Sequence, residues 1–365
     1  MHAVLRNLLV LAAMAITALP AAAQSLPPTC GNLASLKLSN PELLAGCTKT
    51  IVDRQSLINQ STLLPRVIAE SFGMEPDEIE PAGLVALSSE EAQGRLSGGT
   101  DIAIAPAAET TVAPASKWNL WGDGRYSAID GSALVSDLDG PLWNAMAGLD
   151  YKLTDKFTLG MMAAYESADL EGTGPLPPSY ESEGWGAGPY MGVVLGDNIV
   201  FSANLLGSVL DSEQSGGFEF DSERLQASAG LAGYWYRGTW RFSPAVNLAW
   251  SKEWLEETAG LTNDQTVEVA ILSPGLQIGN TLALSGTTTV EPWAGVALDW
   301  TFINKSKDAV FGTIVDDPNT DLRIQAGLNF GFGNNIQLAL TGEVAGLLLD
   351  ETDTYSGAVN LAVQF

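Results

Sequence analysis

Residues 355–365 read YSGAVNLAVQF and alternate between two kinds of side chain. The odd positions hold apolar, aromatic or glycine residues, and the even positions hold small or polar residues. Because successive side chains of a β-strand point to opposite faces, this stretch predicts a strand with one apolar face that ends on Phe365. The same two-residue period recurs back to about Trp118.

From Lys117 onward the pattern predicts twelve strands whose connections alternate between short and long. The short connections are 153–157, 195–198, 236–240, 283–287 and 333–335, and the long, acidic ones are 129–141, 168–184, 211–223, 252–266, 304–321 and 349–354. Short turns at one end, long loops at the other and an even strand number are typical of a bacterial outer-membrane barrel. We therefore predict an all-β fold: a 12-stranded antiparallel transmembrane β-barrel over 117–365, with a short, partly helical N-terminal extension.

The polar face of these strands would line the lumen. In residues 322–332 the apolar side chains alternate with Arg323, Gln325 and Asn329. The predicted lumen-facing residues are Arg224, Glu291, Arg323, Gln325, Asn329 and Glu343. A soluble β-sandwich shows the same alternation with its apolar face inside, but charged and amide side chains on many strands favour a barrel with a wet interior.

Seven tryptophans fall near the ends of predicted strands. They are Trp118, Trp121, Trp143, Trp185, Trp240, Trp254 and Trp300. Transmembrane barrels place Trp and Tyr in girdles at the two membrane interfaces. Any one of them could be an ordinary core residue, so the prediction of a girdle rests on the set.

Residues 1–23 read as a secretory signal peptide. Arg6 supplies the positive start, a short apolar run follows, and residues 21–23 form an Ala-x-Ala cleavage site. The apolar run is shorter than the roughly 20 residues that a membrane-spanning helix needs. We therefore predict export from the cytoplasm with cleavage before Gln24.

Residues 24–96 lack the two-residue period and form a separate N-terminal segment. A helix is predicted from Pro41 to a stop at Gly46, with further helices over 48–61 and 65–72. Residues 97–116 are rich in Ala, Pro, Thr and Gly and read as a linker. Cys30 and Cys47 are the only cysteines, and in an exported chain such a pair predicts one disulfide.

Composition excludes several classes of function. The formal net charge of −26 argues against nucleic-acid binding, which needs basic residues to neutralise phosphates. The only histidine, His2, is removed with the signal peptide, so barrel proteases and phospholipases that use an imidazole base are excluded. The acidic loops lack the spacing of an EF-hand calcium loop and are interpreted as solvated surface. We predict no catalytic residues, no metal and no cofactor.

Several motifs resemble the autotransporter β-domain family. WNLWGDGRY at 118–126 resembles its first strand, GLDYKL at 148–153 and TLGMMAAY at 158–165 its second and third, and GWGAGPY at 184–190 its fourth. EPWAGV at 291–296 is similar to a late strand, and the resemblance covers about 117–365. It implies a monomeric barrel in the outer membrane of a Gram-negative bacterium that passes or holds its N-terminal segment in the pore.

The resemblance also implies partners. The closing strand would carry a C-terminal assembly signal, formed by Val359, Leu361, Val363 and Phe365, which the barrel-assembly machinery recognises after periplasmic chaperones deliver the chain to outer-membrane lipid. The family usually carries a long repetitive passenger, whereas the segment here is short and without a repeat. Two alternatives therefore stay open: a surface adhesin or interaction protein that uses the acidic loops, and a porin-like channel.

Overall fold

The structure is a computed structural model. It describes residues 41–72, 117–133, 136–173, 179–214, 218–255, 265–285, 287–307, 314–316, 318–333, 335–348 and 352–365. The predicted signal peptide 1–23, the linker 97–116 and the Cys30–Cys47 disulfide lie outside the residues whose side chains are described.

The described C-terminal part of the chain folds into fifteen strand segments, each antiparallel to its neighbours. They are β1 (Trp118–Ala133), β2 (Ser136–Thr154), β3 (Phe157–Thr173), β4 (Ser179–Leu195), β5 (Ile199–Gln214), β6 (Phe218–Gly233), β7 (Trp235–Arg237), β8 (Trp240–Leu255), β9 (Gln265–Asn280), β10 (Leu282–Ser285), β11 (Thr288–Lys307), β12 (Ile314–Asp316), β13 (Asn319–Phe332), β14 (Ile336–Ala345) and β15 (Thr352–Gln364).

These strands close into one ring. β1 pairs with β2 on one side and with β15 on the other, and β9 joins β8 to β11. The short segments β7, β10 and β12 continue β6, β9 and β13 along the same neighbouring strands. Taken with the strands that they continue, the described strands form the predicted closed, antiparallel barrel of 12 strands.

The two ends of the barrel differ. The connections β2–β3, β4–β5, β7–β8, β10–β11 and β13–β14 are two or three residues long and lie at one end, here called the turn mouth. The other connections lie at the opposite end, here called the loop mouth. The predicted short turns are confirmed.

The predicted long loops are wrong in extent. β1 continues to Ala133 and β2 begins at Ser136, so most of 129–141 is strand, and four of the other five predicted loops are shortened in the same way. The loop predicted at 349–354 is displaced instead, because β14 already ends at Ala345 and β15 begins at Thr352. The cause is visible on β5, where the outward face changes from the exposed Val209 to the exposed Asp211 and Glu213. Beyond the lipid band both faces of a strand meet water, so acidic residues can occupy strand positions there.

The apolar face of each strand points outward. On β15, Val359 is 51% and Leu361 46% exposed, whereas Asn360 on the opposite face is 3% exposed. Phe365, directly after this strand, is 62% exposed. A soluble sandwich would bury that apolar face, so the sandwich alternative is wrong. An outward apolar band around a polar interior is the arrangement that lipid requires.

Most of the predicted girdle tryptophans also point outward. Trp143 packs against Tyr126 on the neighbouring strand, and Trp185 packs against Tyr165. Trp121 is an exception: it is 1% exposed, points into the lumen and donates a hydrogen bond from Nε1 to the Tyr190 hydroxyl at 2.7 Å. It lies one residue out of phase with the lipid-facing Leu120 and Gly122.

Two helices precede the barrel: α1 (Pro41–Ser61) and α2 (Leu64–Ser71). The predicted stop at Gly46 is wrong, because α1 runs through it without a break. A glycine inside a helix costs only about 1 kcal/mol relative to alanine, which tertiary packing can offset. No helix in the described part of the chain is long and apolar enough to cross a bilayer.

Candidate functional site in the barrel lumen

The lumen is occupied by residues 41–72, here called the pore segment. Most described side chains of α1 and α2 are buried, including the polar Lys49, Asp53, Ser56 and Asn59 at 1% exposure or less. Burying such groups is costly unless each is hydrogen-bonded or paired with an opposite charge. Their partners on the barrel wall therefore decide how the segment is held.

Arg224 of β6 joins the helix to the wall. Its guanidinium lies 3.0 Å from Asp53 of α1 and makes two hydrogen bonds of 3.0 Å to Glu166 of β3. Glu166 also accepts hydrogen bonds from Ser56 of α1 and Asn144 of β2. A planar guanidinium that binds one carboxylate bidentately and a second one singly fixes the rotation of α1 against two strands.

Lys49 anchors the start of the buried part of α1. Its Nζ lies 2.6 Å from Glu253 of β8 and donates a hydrogen bond of 2.9 Å to the Tyr180 hydroxyl of β4. Glu253 also accepts a hydrogen bond from Ser222 of β6. Tyr180 and Glu253 stand beside long connections, so this end of α1 lies at the loop mouth.

A second network lies on the opposite wall. Arg323 of β13 binds Asp299 of β11 through two hydrogen bonds, at 2.8 and 3.0 Å, and lies 3.2 Å from Glu343 of β14. Arg125 of β1 contacts the same Glu343 and donates to Asn59 of α1. The network ties four strands and α1 together.

Apolar contacts seal the space between these polar groups. Val52 of α1 packs in one cluster with Ile129, Leu142, Leu170 and Tyr180. On the other side of the helix the cluster consists of Leu57, Ile58, Ala249, Val267, Val269 and Ile271. Each side chain in both clusters is almost completely buried, so apolar packing closes the lumen on these sides of α1.

The short helix α2 fills the lumen near the turn mouth on one side. Val67 and Ile68 are fully buried, and Ile68 lies where a side chain at Gly192 of β4 would be, since a Cβ there would come within 2.3 Å of Ile68 Cγ2. At the end of α2 the Gln364 side chain donates a hydrogen bond of 2.9 Å to the Glu70 carbonyl. The pore segment thus touches the strand that closes the barrel.

Both chain ends that flank residues 73–116 lie at the turn mouth. Lys152, beside the β2–β3 turn, places its Nζ 5.8 Å from the Phe72 ring centroid. The backbone N–H of the same lysine donates a hydrogen bond of 2.8 Å to the Lys117 carbonyl. The pore segment therefore enters at the loop mouth and ends at the mouth where β1 begins.

On the other side of α2 the lumen is open. A cavity of about 140 Å³, here called the vestibule, extends from the turn mouth towards Arg323 and Gln325. Arg241 and Glu291 stand in its wall as a bidentate pair, 2.8 to 3.1 Å apart. Within the described residues, no three His, Cys, Asp or Glu side chains are grouped so that they could hold a metal ion.

The family model of the autotransporter beta-domain matches residues 120–343, more than half of the chain. The chain belongs to the autotransporter β-domain family. No curated protein sequence matches it. Autotransporter β-domains are translocators, and the family implies the outer membrane of a Gram-negative bacterium.

Solved autotransporter structures share the fold. The β-domain of the Bordetella autotransporter BrkA is 17% identical, with a TM-score of 0.56, over 68% of this chain and 100% of that one. The transport unit of AIDA-I from Escherichia coli is 13% identical, with a TM-score of 0.55, over 71% of this chain and 93% of that one. At these identities the likeness concerns the fold alone.

The six predicted lumen-facing residues of this autotransporter barrel all lie on its inner wall. Arg224, Arg323, Gln325 and Glu343 belong to the networks around α1, whereas Glu291 and Asn329 lie lower, where Asn329 accepts a hydrogen bond from Arg66 of α2 at 2.9 Å. The strand pattern pairs none of them with the helix.

Several wall and helix residues were missed. Glu166, Asp299 and Asp321 occupy inward positions of their strands. The alternation of those strands could have predicted that they face the lumen. The predicted helix rests on its apolar residues, so its pattern did not indicate a role for the polar Lys49, Asp53, Ser56 and Asn59. Polar residues at spacings of three and four in a helix indicate a polar stripe, and here that stripe faces the wall.

Proposed function

We propose that this protein is a non-catalytic autotransporter-type barrel that holds its own N-terminal segment in the pore, with the N-terminal end of that segment towards the cell surface. The observation that carries the proposal is the set of buried ion pairs from Lys49 and Asp53 to Glu253 and Arg224. In each pair both the helix residue and the wall residue are buried, and a buried charge needs an opposite charge beside it. The wall is therefore complementary in charge to this one helix.

The direction of the pore segment supports the topology. In barrels of this kind the short turns face the periplasm, so the loop mouth faces outward. Since α1 begins near the loop mouth, its N-terminal end lies on the surface side. The ends that flank residues 73–116 are both on the periplasmic side, which distinguishes this chain from a barrel whose pore helix leads directly into the first strand.

The occupied lumen also supports a structural rather than a catalytic role. The buried carboxylates Glu166 and Asp299 of the wall and Asp53 of α1 each lie against an arginine. The same packing argues against an open porin-like channel. Export with cleavage of the signal peptide, delivery by periplasmic chaperones and a monomeric state remain part of the proposal.

The outward ridge of β15 is proposed as the assembly signal. Val359, Leu361 and Phe365 are exposed, and Val363 belongs to the same face. Phe365 and Trp118 exchange backbone hydrogen bonds of 3.0 and 3.3 Å, so the last residue pairs at the barrel seam. A recognition element in this place lies on the strand that closes the barrel.

The test of the proposed topology is protease shaving of intact cells that express the full chain with an epitope tag inserted after Gln24. We expect the tag to be lost while the barrel stays intact. A second tag in the β8–β9 connection serves as the control for access at the surface. A first tag that survives while the control tag is cut would show that the N-terminal end stays inside, and would refute the proposed direction.

A further inference from the structure

The vestibule has no part in the proposed function. It has a volume of about 140 Å³ and is bounded by α2 on one side and by the wall from β6 to β14 on the other. A protein cavity of about 150 Å³ holds one benzene molecule, so the vestibule has room for a single six-membered ring. Since α2 forms part of its boundary, the cavity has this shape only while the pore segment is in place.

Two aromatic side chains and a planar ion pair line the vestibule in one row across the wall. Tyr236 of β7 pairs with Arg241 of β8. Arg241 pairs in turn with Gly279 of β9, and Gly279 pairs with Trp293 of β11. The Glu291 side chain covers Gly279, where a Cβ would come within 2.7 Å of Glu291 Cδ, and it binds Arg241 bidentately. The row therefore presents an aromatic ring, a planar polar pair and a second aromatic ring to the cavity.

The charges around the vestibule are balanced. Arg66 Nε lies 2.7 Å from Glu70 Oε1, and Arg241 Nη2 lies 2.8 Å from Glu291 Oε1. Arg323, at the inner end, is paired within the network on the opposite wall. A charged ligand would add an unbalanced charge to a largely enclosed site, which is unfavourable. The lining therefore favours a neutral ligand.

Two oxygens of lining residues lack a hydrogen-bond partner within the described part of the chain. They are Asn247 Oδ1 of β8 and Glu70 Oε2 of α2, and Asn247 is only 8% exposed. A buried acceptor without a donor is unfavourable. Rotation of either side chain towards the cavity presents this oxygen to a ligand, and a ligand with O–H donors satisfies it.

We propose that the vestibule binds one neutral pyranose ring, which enters through the turn mouth. The two faces of such a ring carry C–H groups and suit the aromatic rings of Tyr236 and Trp293. Its edge carries hydroxyls, which suit the Arg241–Glu291 pair and the two unpartnered oxygens. The side from which the ring enters rests on the proposed topology, whereas the binding itself does not.

An extended peptide suits this cavity less well. Such peptides bind by adding to a free strand edge, where their backbone groups find partners. The described strands leave no free edge at the seam, because β1 pairs with β15. The polar groups of the vestibule are side chains between aromatic rings, which is the arrangement that a ring with hydroxyls at its edge requires.

The experiment is isothermal titration calorimetry of the full folded chain in a detergent without a sugar headgroup. The titrants are the methyl glycosides of glucose, galactose and N-acetylglucosamine, with glucuronate as an anionic comparison and trialanine as a peptide probe. We expect saturable binding of at least one methyl glycoside, weaker binding of glucuronate and no binding of trialanine. Failure of all three glycosides to bind, or binding of glucuronate or trialanine as tight as that of the best glycoside, would overturn the inference.

An Asn247 variant separates a binding role from a structural one. Asn247→Leu should weaken binding of the best glycoside roughly fivefold through the loss of one hydrogen bond. It should not lower the temperature of heat modification on a gel, because an apolar side chain of similar size replaces an unpartnered polar one. Gln226→Met is the matched control: Gln226 is 2% exposed and has two unpartnered amide atoms, but it does not line the vestibule. Equal affinities in the two variants would contradict the proposal.

A pair of Tyr236 variants tests the aromatic contact. Tyr236→Phe keeps the ring and should retain binding, whereas Tyr236→Leu should lose most of it. Equal affinities of these two variants would overturn the stacking of the sugar on this wall.

A free monosaccharide and the end of a glycan chain share the same ring chemistry. They are distinguished with a trisaccharide that ends in the sugar that binds best. Binding as tight as that of the methyl glycoside assigns the site to the end of a glycan, and exclusion of the trisaccharide assigns it to a free sugar. Either result supports a pyranose site in the vestibule.

Discussion

At the scale of single residues, Arg224 illustrates how the pore segment is recognised. It is 3% exposed and contacts carboxylates from two different elements, α1 and β3. Buried ion pairs add little net stability compared with apolar packing, but an unpaired buried charge is strongly unfavourable. The cluster therefore acts mainly by selecting one position and rotation of α1.

Replacement of Arg224 tests this directly. In Arg224→Met, Asp53 and Glu166 lose their common partner, and we expect the folded state to lose about 3–5 kcal/mol. The measurement is the temperature at which the heat-modifiable band of the folded barrel converts to the unfolded position on a gel. Arg237→Ala removes an exposed arginine and should leave that temperature unchanged; an equal decrease in both variants would contradict the role given to Arg224.

The closing residue supports a second prediction at this scale. Phe365→Ser removes an exposed aromatic ring from the proposed assembly signal, so the yield of folded barrel in the outer membrane should fall strongly. Gln364→Ala removes only the hydrogen bond to the Glu70 carbonyl, which contributes about 1 kcal/mol, and should lower the yield much less. Quantitative gels of membrane fractions measure both yields, and equal yields would defeat the assignment.

At the scale of elements, α2 depends on a glycine in the wall. Gly192→Val would place a side chain where Ile68 lies, at a cost of about 1–3 kcal/mol for overpacking, and should displace α2 without opening the barrel. Ala69→Cys, in a chain without the native cysteines, would then react with a maleimide in membranes permeable to the reagent. Gly124→Val is the matched control, because nothing lies within 4 Å of a Cβ there. Equal maleimide labelling in the Gly192→Val and Gly124→Val variants would refute the dependence of α2 on Gly192.

The strands were more predictable than the helix. The alternation in 322–332 predicts both the strand and its two faces, because one face of a barrel strand meets lipid and the other meets the lumen. The course of α1 through Gly46 was not predictable from local preference, since it depends on packing. The extension of β5 beyond Val209 was not predictable from local preference either. There the outward face leaves the lipid, so it can hold acidic side chains.

The contacts of the site could not be predicted from sequence. Arg224 and Asp53 are separated by 171 residues, and the sequence around either residue does not predict a contact with the other. Alternation placed Arg224, Arg323 and Glu343 in the lumen, but the register of the helix against the wall arises only in the closed barrel. Trp121 shows how two sequence signals can conflict. Its place near a strand end predicted a girdle residue, whereas the alternation of β1 places it on the inward face.

At the scale of the whole molecule, the barrel is asymmetric about the pore segment. The half nearer the loop mouth is filled by α1 and its two apolar clusters, whereas the half nearer the turn mouth leaves the vestibule open beside α2. A short segment thus closes a wide barrel at one level only. This arrangement combines a firmly held N-terminal segment with an open vestibule beside α2.

The most direct measurement is a cross-link between the helix and the wall. Asn59 Nδ2 lies 2.7 Å from Asn144 Oδ1, so cysteines at both positions, in a chain without Cys30 and Cys47, should be joined by a short bismaleimide in isolated outer membranes. A protease site inserted into 97–116 would reveal the link as a product that stays whole after cleavage. Asn59→Cys with the outward-facing Ala145→Cys should separate into two fragments. Separation of the Asn59/Asn144 pair as well, with both cysteines labelled, would mean that α1 does not occupy the lumen.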